Sequence, residues 1–141
     1  MGAGTPLTDA DRWDWLITLR EEAVRKLQQS DSVIVTCSAL KHKYRDVIRV
    51  AAYEHPSVQI HFIYLKVDEA TLQKRVASRV GHYMKQGMVH SQMSALEEPD
   101  EEWDVLPVDV RVDQEEVQRT ALDVVKKKLA EYEPSDTEKK Q

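Results

Sequence analysis

Two pairs of basic residues in this 141-residue sequence have the type and spacing needed to hold an anion. Lys41 and Arg45 follow directly on the β-branched run SVIVTCS (residues 32–38), and their separation of four places them on one helix face. In open parallel sheets, ligands bind at the carboxyl ends of strands, so this pair stands where an anionic group would be received. The alternative is an ordinary helix face with solvated cations.

Arg75 and Arg79 form the second pair, on a predicted helix that ends at Gly81. Guanidinium groups keep their charge and present a planar fork of donors, which suits them to clamp a polyphosphate. The alternative is an exposed arginine face that pairs with Glu69 or another carboxylate. His82 is a lid hinge, a ligand contact or a surface residue.

Length, charge and composition exclude several classes of protein. The chain has the length of one domain, and its 20 basic and 25 acidic residues give a net charge of −5. The acidic balance argues against a nucleic-acid partner, and no apolar run approaches the roughly 18–20 residues needed to cross a membrane. The single cysteine excludes an intrachain disulfide, no metal-ligating residue is assigned, and we expect a cytoplasmic protein.

The elements that must position these residues alternate along the chain. Helical periods are expected over residues 9–29, 44–52, 69–80, 88–96 and 117–129, and strands over 32–38, 58–67 and 105–112. This order predicts an α/β fold with a parallel sheet. Residues 81–104, which include an acidic, proline-containing loop, are predicted to form a mobile lid.

Several segments resemble gluconokinases in order and spacing across almost the whole chain. They are GTPLTDADRWDWL (4–16), CSALK (37–41), YRD (44–46), FIYL (62–65), RVASRVGHYM (75–84), SQ (91–92) and LEEP (96–99). The resemblance implies a P-loop kinase-like, three-layer α/β/α parallel sheet. It also implies transfer of the γ-phosphoryl group of ATP, with Mg²⁺, to the 6-hydroxyl of the substrate D-gluconate. It leaves homodimer formation open.

The resemblance also implies roles for individual residues. It assigns substrate binding to Arg12, Lys41, Arg45 and Gln92. It assigns catalysis and nucleotide binding to Arg75 and Arg79, and a further nucleotide contact to Asp113. It places Gly81 and His82 in the lid. Arginines that reach ATP phosphates would stabilise charge on the transferred group.

One departure from the family pattern is large. The glycines are Gly2, Gly4, Gly81 and Gly87, so the 141 residues contain no G-x-x-x-x-G-K-[ST] phosphate loop. We therefore expect a chain shortened at its amino end by about 40–60 residues, with the central first strand of the sheet missing. Residues 1–132 are then a partial gluconokinase domain, and residues 133–141 are a polar tail.

This departure has consequences for activity and stability. Without the phosphate loop the chain should be inactive alone. The alternative function is a catalytically dead fragment that acts as an interaction or regulatory module. Because the two flanking strands would face a gap, with ladder groups unpaired, we also expect marginal stability.

Overall fold

A computed structural model of the chain describes residues 9–78 and 86–132. In chain order the elements are α1 (Asp9–Leu27), α2 (His42–Glu54), β1 (Phe62–Lys66), α3 (Glu69–Ser78), α4 (Gln86–Ala95), β2 (Val105–Asp109) and α5 (Gln114–Ala130). These residues divide into two compact units. The first contains residues 9–60, 69–78 and 86–103, and the second contains residues 61–68 and 104–132.

The first unit is built around α1 packed against α2. Apolar residues recur on the helical period in both helices, so each helix presents an apolar face to the other. The core between them consists of Leu16, Tyr44 and Val47, with Ile17 and Ile48 packed against it. Each such side chain contributes about 1.5–3 kcal/mol when it is fully buried. This core fixes the beginning of α2, where two of the predicted site residues lie.

The helices α3 and α4 form the other packed pair of the first unit. The ring Nδ1 of His90 on α4 lies 2.7 Å from a carboxylate oxygen of Glu69 on α3. Met88 and Val89 on α4 are buried, and this helix confirms the short helix expected at residues 88–96. The predicted helix end at Gly81 and the predicted polar tail (133–141) lie outside the described residues.

The second unit contains a parallel pair of strands with α5 packed on β2. The register pairs Phe62 with Val105, Tyr64 with Pro107 and Lys66 with Asp109. Val105 and Val108 of β2 are buried. A parallel pair needs a long connection between its strands, and the chain through α3 and α4 supplies it. Both strands are shorter than the sequence predicts.

The α/β class and the parallel pairing are confirmed, but the described residues form two strands rather than about three. Residues 32–38, predicted as a buried strand, have no regular structure, and Ile34 is 92% exposed. A strand is stable only when its backbone groups are paired, and no described strand lies beside this segment. None of the described helices is long and apolar enough to cross a bilayer.

Candidate functional site

Three cations surround the ring of Tyr44 in the first turn of α2. The Cζ atom of Arg12 lies 5.6 Å from the ring centroid, and the Nζ atoms of Lys41 and Lys43 each lie 5.8 Å from it. The ring belongs to the α1–α2 core and is only 3% exposed, so its position is fixed by packing. Cation–π attraction at such distances helps to hold the cations in place. We call these four residues the cation cluster.

The start of α2 decides where the cluster lies. Lys41 is the extended residue directly before the helix, with φ −113° and ψ 149°. The backbone N–H of His42 donates to Oε1 of Glu97 at 2.8 Å, so a carboxylate from 55 residues away caps the helix. Arg12 comes from α1, one turn before the buried Leu16. Sequence-distant elements therefore converge on one helix end.

The cation cluster is suited to an anion. Lysine and arginine make short, strong hydrogen bonds to carboxylate and phosphate groups, and several cations close together raise the local positive potential. The structure thus brings together Arg12 and Lys41, two of the residues predicted to bind substrate. It adds Lys43, which the sequence pattern does not single out.

Arg45, predicted as a substrate contact, is instead held within the protein. Its side chain is 4% exposed. Nε donates to Oε1 of Glu102 at 2.8 Å, and Nη2 donates to Oε2 of Glu102 at 2.7 Å. Nη1 donates to the Ala39 carbonyl at 2.6 Å, and Nη2 also donates to the Glu97 carbonyl at 2.8 Å. Four of its five N–H groups are therefore used internally, and its contact with a sugar acid stays a prediction.

Glu102 accepts hydrogen bonds from two arginines. In addition to the bonds from Arg45, Nη2 of Arg49 donates to Oε1 of Glu102 at 2.6 Å. The hydrogen bond from Arg45 is the main reason that the pKa of Glu102 is lowered from 4.5 to about 2; burial opposes this change, and the hydrogen bond from Arg49 supports it. Glu102 therefore carries its charge at neutral pH.

Residues 97–102, which we call the strap, are tied to the start of α2. The Glu97 N–H donates to the Leu40 carbonyl at 2.7 Å, in addition to the bonds that Glu97 and Glu102 make with His42 and Arg45. The sequence predicts a mobile loop here, whereas the structure anchors this loop at both ends. The wider assignment of residues 81–104 as a lid stays a prediction.

Comparison with known proteins places the chain in a family. A probable gluconokinase of Schizosaccharomyces pombe is 41% identical over 134 residues, which cover 93% of this chain and 69% of that protein. The chain belongs to the gluconokinase family. The thermoresistant gluconokinase of Escherichia coli is 37% identical over 128 residues, covering 90% of this chain and 70% of that one.

Solved structures agree with this family assignment. A gluconokinase from Sinorhizobium meliloti 1021 matches with a TM-score of 0.72 and 38% identity, over 87% of this chain and 66% of that one. An unliganded sugar kinase from Janibacter sp. HTCC2649 matches with a TM-score of 0.75 and 36% identity, over 87% of this chain and 68% of that one. No protein-family model matches the sequence. The chain thus spans about two thirds of the length of these two structures.

Two other residues predicted from the gluconokinase resemblance lie on helices that carry no member of the cation cluster. Arg75 is in the last turn of α3 and Gln92 is on α4, so both belong to the second helix pair of the first unit. Arg79, Gly81 and His82 lie outside the described residues. The roles of Arg75 and Gln92 stay predictions.

Asp113, predicted as a nucleotide contact, has a structural role in the second unit. It is the N-cap of α5, and its Oδ1 accepts from the Glu116 N–H at 2.8 Å. A capping carboxylate satisfies an otherwise unpaired helix N–H and interacts favourably with the helix dipole. This role accounts for the residue whether or not it meets a nucleotide.

The described residues do not form a complete site for the ATP and Mg²⁺ that the gluconokinase family implies. Residues 9–78 and 86–132 contain no group of three histidine, cysteine, aspartate or glutamate side chains able to hold a metal ion. The sequence also lacks the glycine-rich loop whose backbone N–H groups would cradle phosphates. These residues alone therefore do not fit MgATP.

Lys43, Arg49 and Glu102 are the site residues that sequence reasoning missed. Arg49 follows Arg45 by four residues on the same helix, so a second buried or paired cation could have been expected there. The cluster of carboxylates at residues 97–102 was the complementary signal. Their pairing could not be predicted, because 57 residues separate Arg45 from Glu102.

Proposed function

We propose that the chain supplies the acceptor-binding part of an enzyme that transfers the γ-phosphoryl group of ATP to the 6-hydroxyl of D-gluconate. One observation carries the proposal: Arg12, Lys41 and Lys43 converge on the Tyr44 ring in a member of the gluconokinase family. Among the groups of D-gluconate, the carboxylate is the one that such a cluster would select.

The cluster would work by orienting the substrate. D-gluconate has its carboxylate at one end of a six-carbon chain and its primary hydroxyl at the other. Arg12 offers a planar fork of donors, whereas Lys41 and Lys43 act as point charges. Holding the carboxylate would leave the far hydroxyl free to face the phosphoryl donor, and such positioning is a large part of phosphoryl-transfer catalysis.

The proposal also covers the binding of ATP, the phosphoryl donor. Arg75 and Arg79 would contact ATP phosphates, Gln92 would close over the substrate, and Mg²⁺ would neutralise phosphate charge when bound. Because the 141 residues lack a phosphate loop, we propose that they do not turn over alone. A cytoplasmic location is part of the proposal. Homodimer formation stays a prediction.

The proposal is tested first by ligand binding. We expect isothermal titration calorimetry to detect D-gluconate binding to the 141-residue chain, and no binding of D-glucitol, which carries a hydroxymethyl group in place of the carboxylate. Lys41→Met should weaken gluconate binding by about 10–100-fold, because a hydrogen bond to a charged group contributes about 1.5–3 kcal/mol. The matched control is Lys126→Met on α5, which should bind as wild type does.

A coupled ATP-consumption assay tests the reaction itself. The 141-residue chain should be inactive with gluconate, whereas a chimera that adds a strand and a G-x-x-x-x-G-K-[ST] phosphate loop before residue 1 should catalyse phosphoryl transfer. Equal binding of gluconate and glucitol would refute the acceptor role and would favour the alternative, an interaction or regulatory module. Turnover by the short chain would refute its proposed inactivity.

A further inference from the structure

The turn before Lys41 has an unusual backbone. Ala39 has a φ of 42°, the left-handed region that residues with a Cβ rarely adopt. Such a conformation is strained and persists only where surrounding contacts hold it. Ala39 lies two residues before Lys41, so the direction in which the chain enters α2 depends on this turn.

Two hydrogen bonds from the network around the strap hold the carbonyls of the turn. The Ala39 carbonyl accepts from Nη1 of Arg45 at 2.6 Å, and the Leu40 carbonyl accepts from the Glu97 N–H at 2.7 Å. The backbone hydrogen bond of Ala39 to Cys37 and the burial of Leu40 add to this hold. Arg45 thus holds Ala39, and Glu97 holds Leu40, in the residue pair that directly precedes Lys41.

Arg45 is itself oriented by Glu102. Both carboxylate oxygens of Glu102 accept from Arg45, which sets the plane of the guanidinium group and directs Nη1 at Ala39. Arg49 holds Glu102 from its other side, with Nη2 2.6 Å from Oε1. The side chain of Glu102 is 9% exposed, so little water competes for these bonds. The contacts form a continuous path from the strap to the turn.

We propose that Glu102 and Arg45 are positioning residues for Lys41, acting through the strained turn at Ala39. This inference rests on the proposed function of Lys41 in binding the gluconate carboxylate. Lysine has a long, flexible stem, so its ammonium group is placed accurately only if its backbone is fixed. Glu102 and Arg45 supply that fixed backbone, and neither needs to touch the substrate.

A double-mutant cycle separates this role from a general effect on stability. We expect Glu102→Gln to weaken gluconate binding about tenfold in the wild-type background. In a Lys41→Met background the same change should have no further effect, because the residue through which Glu102 acts is gone. Glu101→Gln, an exposed neighbour with the same loss of charge, should bind as wild type does. Equal weakening in both backgrounds would overturn the proposal.

Hydrogen exchange gives a readout that does not depend on gluconate. Glu102→Gln should speed amide exchange in a peptide covering residues 38–42, with exchange in α5 as the internal reference for global unfolding. Arg49→Gln, which removes one partner of Glu102 and leaves the bonds of Arg45 in place, should produce a smaller change in the same direction. It also serves as the test variant if Glu102→Gln does not fold.

The binding and hydrogen-exchange measurements distinguish failure of the positioning role from failure of the proposed function. Unchanged exchange at residues 38–42 in both variants would overturn the positioning role, even if the wild-type chain binds gluconate. Absence of gluconate binding by the wild-type chain would refute the proposed function. In that case exchange alone would decide whether Glu102 and Arg45 fix the turn.

Discussion

The charge of Glu102 gives the first unit a defined dependence on pH. Hydrogen bonding to Arg45 is the main cause that lowers its pKa from 4.5 to about 2 in the folded protein. A lowered folded-state pKa means that the charged group stabilises the fold fully above the unfolded-state value. That contribution is lost as the pH falls from about 4.5 towards 2, and a shift of this size corresponds to about 3 kcal/mol.

We therefore expect the difference in unfolding free energy between wild type and Glu102→Gln to shrink by about 3 kcal/mol between about pH 5 and pH 2. Urea unfolding followed by circular dichroism measures it, with sucrose added equally to both proteins to keep them folded at the outset. Glu101→Gln should follow the wild-type curve. A difference that stays constant over this range would mean that the Arg45 pairing does not set the pKa.

Residue type and spacing selected cations of the candidate site but not their partners. Lys41 was selected by its spacing and Arg12 by the gluconokinase resemblance, and the structure brings both to Tyr44. Arg45 was selected for the same reason, yet most of its donors are used internally. Local spacing shows which side chains share a helix face. It contains no information on a carboxylate that arrives from 57 residues away.

At the scale of elements, helices were predicted better than strands. The apolar period of a helix is local, and the bonds of a helix lie within the element itself, so α1, α2, α4 and α5 appear close to their expected bounds. A strand depends on a neighbour. Residues 62–66 and 105–109 form strands because they pair with each other, whereas the equally β-branched run at 32–38 has no paired neighbour among the described residues.

The N-cap of α5 leads to a prediction at this scale. Asp113→Ala should lower the unfolding free energy by about 1 kcal/mol, because the Glu116 N–H loses its acceptor. Asp113→Asn should keep most of the stability, since asparagine caps helices nearly as well. Thermal unfolding followed at 222 nm measures both changes. Equal loss in the two variants would show that the negative charge, rather than the cap hydrogen bond, is what matters.

At the scale of the whole molecule, apolar surface is left open in both units. Ile34 is 92% exposed in the first unit, and Leu65, Leu122 and Leu129 are each 55% exposed in the second. The fully buried large side chains among the described residues are only Val89 and Val108. Exposed apolar groups contribute little to stability, whereas the ordering of the backbone still opposes folding. This supports the expectation of marginal stability.

Dye binding and thermal unfolding test that expectation together. We expect the 141-residue chain to bind the dye ANS at neutral pH and to melt over a broad range, because apolar surface is exposed before unfolding begins. Ile34→Ser should reduce ANS fluorescence and leave the helical signal unchanged. In contrast, Leu16→Ala in the α1–α2 core should remove about 2–5 kcal/mol and much of the helical signal. A sharp cooperative melt without ANS binding would show that the chain is stable by itself. The β-branched segment at residues 32–38 would then need no neighbouring strand.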